Sequence, residues 1–305
     1  MNCIETWLED HVSEKRRIHT YGVVGTAKEL AKRYGADAEK AETAALYHDM
    51  FRSSPDGILN QYVDEFRLGE EYRNNANLSH GKIAAAVMER DWGITDRDIL
   101  NAVRYHTTGR AGMSPLEKVI FLADAIEPGR DYPQVETLRK LSEESLDQAC
   151  LFLAERSIDY IKERGLFLHE DTIRAKDDFK EKEKQMDYKR MAIFAAKVLE
   201  DKKARDIVII NIGTKTTFAD YMVLASGSSQ RQIGTLSEEL EEKFEQEAVF
   251  VRNIEGKKES GWILMDYSDI VINLLTAEMR EKYDIEKVWG DCEFINLEDE
   301  NGGEI

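Results

Sequence analysis

Residues 26–50, TAKELAKRYGADAEKAETAALYHDM, decide the fold of the first half of this 305-residue chain. Apolar residues recur three or four positions apart on both sides of Gly35, which is the spacing of residues on one face of a helix. Because glycine interrupts such a run, the pattern predicts two helices that meet at Gly35. The second helix runs into the adjacent pair His48 and Asp49.

The same helical spacing continues on both sides of this stretch. Residues 79–93, 96–109 and 114–129 repeat it. Each segment begins with serine or aspartate, which predicts an N-cap, and ends at a glycine, which often follows a helix. No segment before about residue 170 alternates apolar and polar residues as a strand does. We therefore predict an all-α helical bundle for the first half.

The pattern changes after a charged stretch at residues 171–190, which we interpret as the solvated end of a helix leading into a linker. Short β-branched runs follow at residues 206–213 and 221–227, and two more lie within residues 262–275. Residues 228–247 between them form an amphipathic helical pattern. Strands that alternate with helices predict an α/β domain. We expect two domains, at residues 1–184 and 187–298.

Composition and charge limit the classes of function. The net charge is −18 and both halves are acidic, so neither has the basic excess that direct nucleic-acid binding requires. An acidic surface favours basic partners instead. No apolar run approaches the ~18 residues of a membrane span, and acids precede any apolar stretch at the N-terminus, unlike in a signal peptide. Three widely spaced cysteines suit a reducing compartment, so we expect a soluble, cytoplasmic protein.

Histidine and aspartate side chains on separate predicted helices indicate a metal site. Neutral imidazole and carboxylate ligands suit iron, manganese or zinc, and a helical bundle can bind metal between its helices. Six such ligands exceed the need of one tetrahedral ion and fit two ions that share a carboxylate. The alternative is that each histidine is a packed or surface residue. His11 and His169 lie outside the pattern, and we expect them to be surface residues. The candidate ligands are His19, His48, Asp49, His80, His106 and Asp124.

The order of these residues resembles the HD-domain phosphohydrolases, whose pattern is a histidine, then a His-Asp pair, then an aspartate. The chain is most similar to the YqeK branch, which carries two further histidines between the pair and the last aspartate. Residues 104–130, RYHTTGRAGMSPLEKVIFLADAIEPGR, are the most specific part of this match. The resemblance implies a helical bundle with a two-metal centre, reported as di-iron. It also implies symmetrical hydrolysis of diadenosine tetraphosphate to two ADP.

The resemblance also implies a role for each residue. Asp49 would bridge the two ions and is the catalytic candidate together with Arg52, which lies four residues after His48 on the same helical face. Arg52 corresponds to the phosphate-contacting base that follows the His-Asp pair in the family. Arg110 and Arg130 are further candidates for substrate binding. His19, His48 and Asp124 would hold one ion, and His80 and His106 the other.

The second half resembles the ribosomal silencing factor RsfS, or Iojap-related, family. Residues 206–232, 261–275 and 283–291 carry this similarity. It implies a mixed sheet flanked by helices, often a homodimer, that binds a basic protein of the large ribosomal subunit and blocks subunit joining. Aromatic residues beside acids suit such docking. The candidate partner-binding residues are Trp262, Asp266, Tyr267 and Asp269, although Trp262 could equally belong to the core.

These observations favour a fusion of a two-metal diadenosine tetraphosphate hydrolase with a ribosomal silencing domain. One alternative is an HD-type nucleotidase that acts on mononucleotides. The other is a non-catalytic ribosome-binding module whose metal site is structural.

Overall fold

The computed structural model describes residues 3–296. The chain divides in sequence between Glu183 and Lys184 into two compact units. Within the described residues, no helix is both long enough and apolar enough to cross a membrane.

The first unit is a helical bundle, as predicted, and its described residues contain no strand. A short 3₁₀ turn at Glu70–Tyr72 separates the fourth and fifth helices. The helices are α1 (Cys3–His11), α2 (Glu14–Tyr34), α3 (Ala38–Tyr47), α4 (Asp56–Glu65), α5 (Ala76–Asp91), α6 (Arg97–Tyr105), α7 (Pro115–Ile126), α8 (Val135–Glu144), α9 (Leu146–Glu163) and α10 (Glu170–Asp201).

Most helix ends follow from local sequence chemistry. Gly35 ends α2 in the left-handed region at φ 70°, which glycine adopts without steric cost. The side chains of Asp96 and Ser114 cap α6 and α7, as predicted. The expectation that Ser79 begins a helix was wrong. Asn75 caps α5 instead, because its side chain accepts the Leu78 amide, and Ser79 is buried within the helix.

Helix α7 lies in the core of the first unit. Its residues from Leu116 to Ala123 are all buried, and it packs against α2, α6 and α9. Helices α2 and α3 also pack on each other. The candidate metal ligands lie on these elements: one on each of α2, α5 and α7, and the others just after α3 and α6. The packing of α2, α3 and α6 against α7, and of α5 against α6, therefore brings distant parts of the sequence together.

The charged stretch at residues 171–190 is continuous helix within α10, so the predicted linker was wrong. Lysine, glutamate and arginine are good helix formers, and pairs such as Asp178 and Lys182, 2.8 Å apart, support the helix at i,i+4 spacing. Two apolar residues of this stretch are four positions apart and so lie on one face of the helix. Ala175 and Phe179 are fully buried in the core of the first unit, and Ala192 and Leu199 belong to the core of the second.

The second unit contains a six-stranded mixed sheet with helices, which confirms the predicted fold class. The strand order is β3-β4-β5-β2-β1-β6, where β2 and β5 are parallel and the other pairs are antiparallel. The elements are β1 (Arg205–Asn211), β2 (Tyr221–Gly227), α11 (Gln230–Gln246), β3 (Asn253–Lys257), a 3₁₀ turn (Lys258–Ser260), β4 (Trp262–Asp266), β5 (Ile270–Thr276), α12 (Ala277–Tyr283), α13 (Ile285–Val288) and β6 (Glu293–Ile295).

Both faces of this sheet carry apolar clusters. One cluster joins the sheet to α11 and to the last part of α10, and the other joins it to side chains of α12 and α13. Strand β4 alternates between the clusters as its sequence predicts. Ile263 and Met265 face the first cluster, while Trp262 and Leu264 pack against the second.

Candidate metal centre

Side chains from five parts of the first unit converge on one point. His19 Nε2 lies 3.1 Å from Asp124 Oδ1, and His80 Nε2 lies 3.1 Å from Asp49 Oδ1. His48 and His106 lie beside them with their rings 5.0 Å apart. The structure therefore brings together all six residues that the sequence suggested as ligands.

Asp49 lies between two pairs of histidines. Its Oδ2 is 3.5 Å from His19 Nε2 and 3.7 Å from His48 Nε2. Its Oδ1 is 3.1 Å from His80 Nε2 and 3.7 Å from His106 Nε2. Each oxygen of one carboxylate thus faces its own pair of imidazoles, which is the arrangement that a carboxylate bridging two ions requires.

Three of the histidines are oriented by main-chain carbonyl groups. The Nδ1 atoms of His48, His80 and His106 lie 2.6, 2.7 and 2.7 Å from the carbonyl oxygens of Ala45, Ala76 and Val103. Because a carbonyl only accepts, each Nδ1 carries the hydrogen, and in the neutral form of each ring Nε2 then has a lone pair that faces Asp49.

The lone pairs of this set fit metal ions. His80 Nε2 and His106 Nε2 are 2.9 Å apart, and two lone pairs cannot hydrogen bond to each other but can both bind a cation. His48 Nε2 is buried and has no hydrogen-bond partner among the described residues. A buried acceptor without a donor is destabilising, so the neutral ring of His48 fits a bound cation.

Glu127 orients the fourth histidine, His19, and was not among the site residues predicted from the sequence. Its Oε1 lies 3.1 Å from His19 Nδ1, and the residue is only 4% exposed. A carboxylate behind a ligating histidine fixes the ring and raises its basicity. Gly22 leaves the space for this carboxylate, since a Cβ atom there would lie 2.6 Å from Glu127 Oε2. The signal in the sequence was an acid three residues after Asp124.

Burial and charge set the protonation of the imidazoles. Burial lowers the pKa of His48 to about 4, so this ring is neutral at pH 7 and available to a metal. Burial also lowers the pKa of His19, but the nearby carboxylates of Asp124 and Asp49 have the larger, opposite effect, and the pKa is raised to about 9. In the metal-free protein His19 is therefore protonated at neutral pH.

Three arginines line a cavity of about 220 Å³ at the cluster. Arg52 and Arg130 were predicted from the sequence; Arg52 donates to Asn77 Oδ1 and Arg130 to Asp124 Oδ1. Arg16 was not predicted, although its Nη1 donates to Asp49 Oδ2 over 2.6 Å. The cavity therefore combines the ligand set with cationic groups that suit phosphate oxygens.

Two other expectations require correction. Arg110 does not line this cavity, because its guanidinium pairs with Glu117 over 2.8 Å. Glu117 is buried and belongs to the capping box of α7. His169 is not a surface residue, since its ring is half-buried and its Nε2 lies 2.9 Å from the hydroxyl of Tyr72. His11 is exposed and stacks on Trp7.

The candidate partner-binding residues of the second unit differ in exposure. Tyr267 is only 6% exposed and its ring packs on Phe244 at 4.5 Å, so its assignment as a surface anchor was wrong. Trp262 is half-buried and donates from Nε1 to Asn273 Oδ1. Asp266 and Asp269 are half-buried at the turn between β4 and β5, where Asp266 Oδ1 accepts the amide of Ser268.

Comparison with known proteins identifies both units. Residues 16–129 match the family model described as HD domain, and residues 185–304 match the model described as ribosomal silencing factor during starvation, RsfS. A relative from Bacillus subtilis named symmetrical bis(5'-nucleosyl)-tetraphosphatase is 40% identical over 56% of this chain and 90% of its own length. The RsfS of Zymomonas mobilis is 38% identical over 30% of this chain and 69% of its own length. The chain belongs to both families.

A solved structure supports the fold of the HD unit. It is described as a predicted HD superfamily hydrolase involved in NAD metabolism from Clostridium acetobutylicum. The match has a TM-score of 0.56 and 39% identity, and it covers 59% of this chain and 96% of that one. The residues that match the HD model include all six candidate ligands and begin at Arg16. The four candidate partner-binding residues lie within the range that matches the RsfS model.

Proposed function

We propose that the HD unit is a two-metal hydrolase that cuts diadenosine tetraphosphate symmetrically into two ADP. The position of Asp49, with one oxygen towards each pair of histidines, carries this proposal. In it, His19, His48 and Asp124 hold one ion and His80 and His106 the other, with Asp49 between them. The resemblance to the YqeK branch implies iron, and manganese and zinc, which this ligand set also suits, are the alternatives. The names of the HD relatives support the substrate.

The chemistry follows from the groups around the cluster. Two bound cations lower the pKa of a water molecule and neutralise phosphoryl oxygens. Glu127 holds the ring of His19, while Arg16, Arg52 and Arg130 bind and orient the phosphate chain. Hydrolysis adds one water across the central P–O–P link. The water oxygen ends on one phosphorus, the bridging oxygen leaves with the other, and the two protons are released from the new phosphate ends.

A product assay combined with metal analysis tests the hydrolase. The purified protein is expected to contain two metal ions per chain and to convert diadenosine tetraphosphate to ADP alone. Asp49→Ala should lose both metal and turnover, because it removes the shared ligand. His11→Ala is the matched control, since His11 is an exposed histidine outside the cluster and should change neither.

The competing functions give different outcomes in the same assay. An HD nucleotidase would hydrolyse dAMP faster than diadenosine tetraphosphate. A structural metal site would bind metal without any turnover. Formation of ATP and AMP instead of ADP would also contradict the proposal, because the cut would then be asymmetrical.

For the RsfS unit, we propose binding to the large ribosomal subunit through a basic ribosomal protein, which blocks subunit joining in the cytoplasm. The names of the RsfS relatives support the ribosome as partner, and the net charge of −18 suits a basic surface. We also propose that this unit forms a homodimer. Light scattering of the whole protein tests that part, and a monomeric mass would contradict it.

Co-sedimentation with large ribosomal subunits tests the acidic surface. Asp266→Asn with Asp269→Asn should weaken binding by removing two negative charges, while asparagine can still accept the Ser268 amide. Glu200→Gln with Asp201→Asn removes the same charge from exposed positions of α10 and should have no effect. Equal binding by both double variants would count against a role for this turn.

A further inference from the structure

A second cavity borders the metal-centre cavity of the HD unit. It has a volume of about 760 Å³, and both cavities are lined by Arg52, Asn77 and Thr107. The metal-centre cavity measures only about 220 Å³, whereas pockets that hold whole small-molecule ligands measure about 300–1,000 Å³. The smaller cavity therefore suits phosphate groups, and the nucleoside ends of a dinucleotide must lie outside it.

The wall of the larger cavity is formed in part by apolar side chains that lie outside the hydrophobic core. Tyr160, Leu166 and Phe167 are 47%, 51% and 58% exposed, and all three line this cavity. They lie at the end of α9 and in the turn after it, where Gly165 reverses the chain at φ 60°. Large apolar side chains gathered around one concavity, instead of scattered over the surface, indicate a ligand.

Polar groups complete the wall. His169 is fixed on both sides, because its Nε2 lies 2.9 Å from the hydroxyl of Tyr72 and its Nδ1 accepts the Asp171 amide over 3.1 Å. Asn74 and Thr172 also line the cavity. Flat aromatic side chains with a few fixed polar groups are the features that bind a nucleobase, since every base has a face that can stack.

A third cavity has a different character. It measures about 660 Å³ and shares Arg16 and Arg130 with the metal-centre cavity. Lys15 adds a further positive charge to its lining, and Tyr132 is its one aromatic residue among those described. Glu127 and Asp131 also line this third cavity, so it differs from the larger cavity in having fewer aromatic and apolar side chains and not in its net charge.

We propose that the aromatic cavity binds the base and ribose of one half of the dinucleoside polyphosphate. Arg52 and Asn77, at its border with the metal-centre cavity, contact the phosphates that join this nucleoside to the reacting link. This inference rests on the proposed function and adds a nucleoside site to it. A nucleoside fixed in this cavity limits which phosphate reaches the metal centre, and so contributes to the choice of the central link.

Calorimetric titration of the purified, metal-containing protein with ADP and with pyrophosphate tests this site. Phe167→Ala should weaken ADP binding about tenfold, as expected for the loss of one stacked base, and leave pyrophosphate binding unchanged. Phe167→Tyr keeps a flat ring and should retain the affinity for ADP. Phe218→Ala is the matched control, because Phe218 is 57% exposed but lies in the RsfS unit.

Each outcome has a defined meaning. Unchanged ADP binding by Phe167→Ala would overturn the nucleoside site, as would equal loss of ADP and pyrophosphate, which would assign the effect to the phosphate groups. If Phe167→Ala does not fold, Tyr160→Ala replaces it with the same expectation. The titrations do not depend on turnover. Absence of ADP production by the unmodified protein would therefore refute the hydrolase, while the ratio of ADP to pyrophosphate affinity would still report on the cavity.

Discussion

Arg16 and Asp49 form the contact that most directly affects metal loading. The guanidinium of Arg16 donates to Asp49 Oδ2 over 2.6 Å, and this oxygen is one that a bridging ion needs. Without substrate, the arginine therefore competes with a cation for the carboxylate. With substrate, the same guanidinium is free to contact a phosphate.

We predict that Arg16→Gln tightens metal binding in the absence of nucleotide and raises the KM for diadenosine tetraphosphate. Metal affinity is measured by competition with a chelator, and KM by ADP release. Arg17→Gln is the control, because Arg17 donates to the carbonyl of Glu9 and not to the cluster. Weaker metal binding by Arg16→Gln would show that the arginine supports the ligand set instead of competing for it.

The protonation of His19 predicts how metal affinity changes with pH. Its pKa is raised to about 9 in the metal-free protein, above the ordinary value of 6.5, so at pH 7 a metal must displace a proton. Affinity should therefore increase with pH between about 6.5 and 9, by up to about tenfold per unit. Calorimetry in buffers of different ionisation enthalpy should detect about one proton released per chain. No proton release at pH 7 would contradict the raised pKa.

Residue types and their order predicted which histidine and aspartate side chains lie together, because few chemical groups bind these metals. Arg16 and Glu127 could not be assigned in the same way, since an arginine or glutamate in a helical protein is most often on the surface. Their roles depend on the packing of α2 against the end of α7. Arg110 was named as a substrate-binding candidate for a similar reason, because the sequence does not reveal that its guanidinium forms an ion pair with the buried Glu117.

At the level of elements, the N-cap of α7 matters because this helix carries Asp124. Ser114 accepts the amide of Glu117, and Glu117 in turn accepts the amide of Ser114. Such a cap contributes about 1 kcal/mol to stability. The site therefore depends on a hydrogen-bond pair at the opposite end of the helix from its ligand.

We predict that Ser114→Ala lowers the free energy of unfolding of the HD unit by about 1 kcal/mol. Ser13→Ala is a matched control, because Ser13 occupies the N-cap position of α2 but makes no capping hydrogen bond. Urea unfolding followed by the turnover of the remaining native enzyme reports on the HD unit alone. Equal destabilisation by the two substitutions would show that the capping hydrogen bond contributes nothing.

Sequence patterns predicted the existence of the elements better than their bounds. Asp96 and Ser114 were identified as caps because each is followed directly by apolar residues at helical spacing. The start of α5 was misplaced because Asn75 and Ser79 are both good caps and only packing decides between them. Tyr267 was proposed as a partner-binding residue because it is an aromatic residue beside acids, and this pattern does not show that Phe244 of α11 covers its ring.

For the whole molecule, helix α10 determines where the chain can be divided. Phe179 is fully buried in the core of the HD unit although it lies far beyond the residues that match the HD model, which end at 129. Loss of a buried phenylalanine costs about 3–5 kcal/mol. The length of the HD unit is therefore set by packing and not by the extent of the motif.

A protein ending at residue 169 should be much less stable than one ending at residue 183. The shorter form lacks Ala175 and Phe179, which are both fully buried in the core of this unit. Thermal unfolding and resistance to a protease compare the two forms. Equal melting temperatures would mean that α10 adds nothing to the stability of this unit. From the sequence, this stretch was interpreted as the solvated end of a helix leading into a linker, because its charged residues far outnumber the two apolar residues that are buried.

The contribution of α10 to both cores also has a consequence for synthesis on the ribosome. Among the described residues, the last apolar side chain of the first core follows nine helices, so the newly made HD unit stays incomplete until α10 has left the exit tunnel. The later residues of α10 then supply an apolar surface against which the sheet of the second unit can pack. Translation would thus finish the enzyme and begin the second unit within a single element.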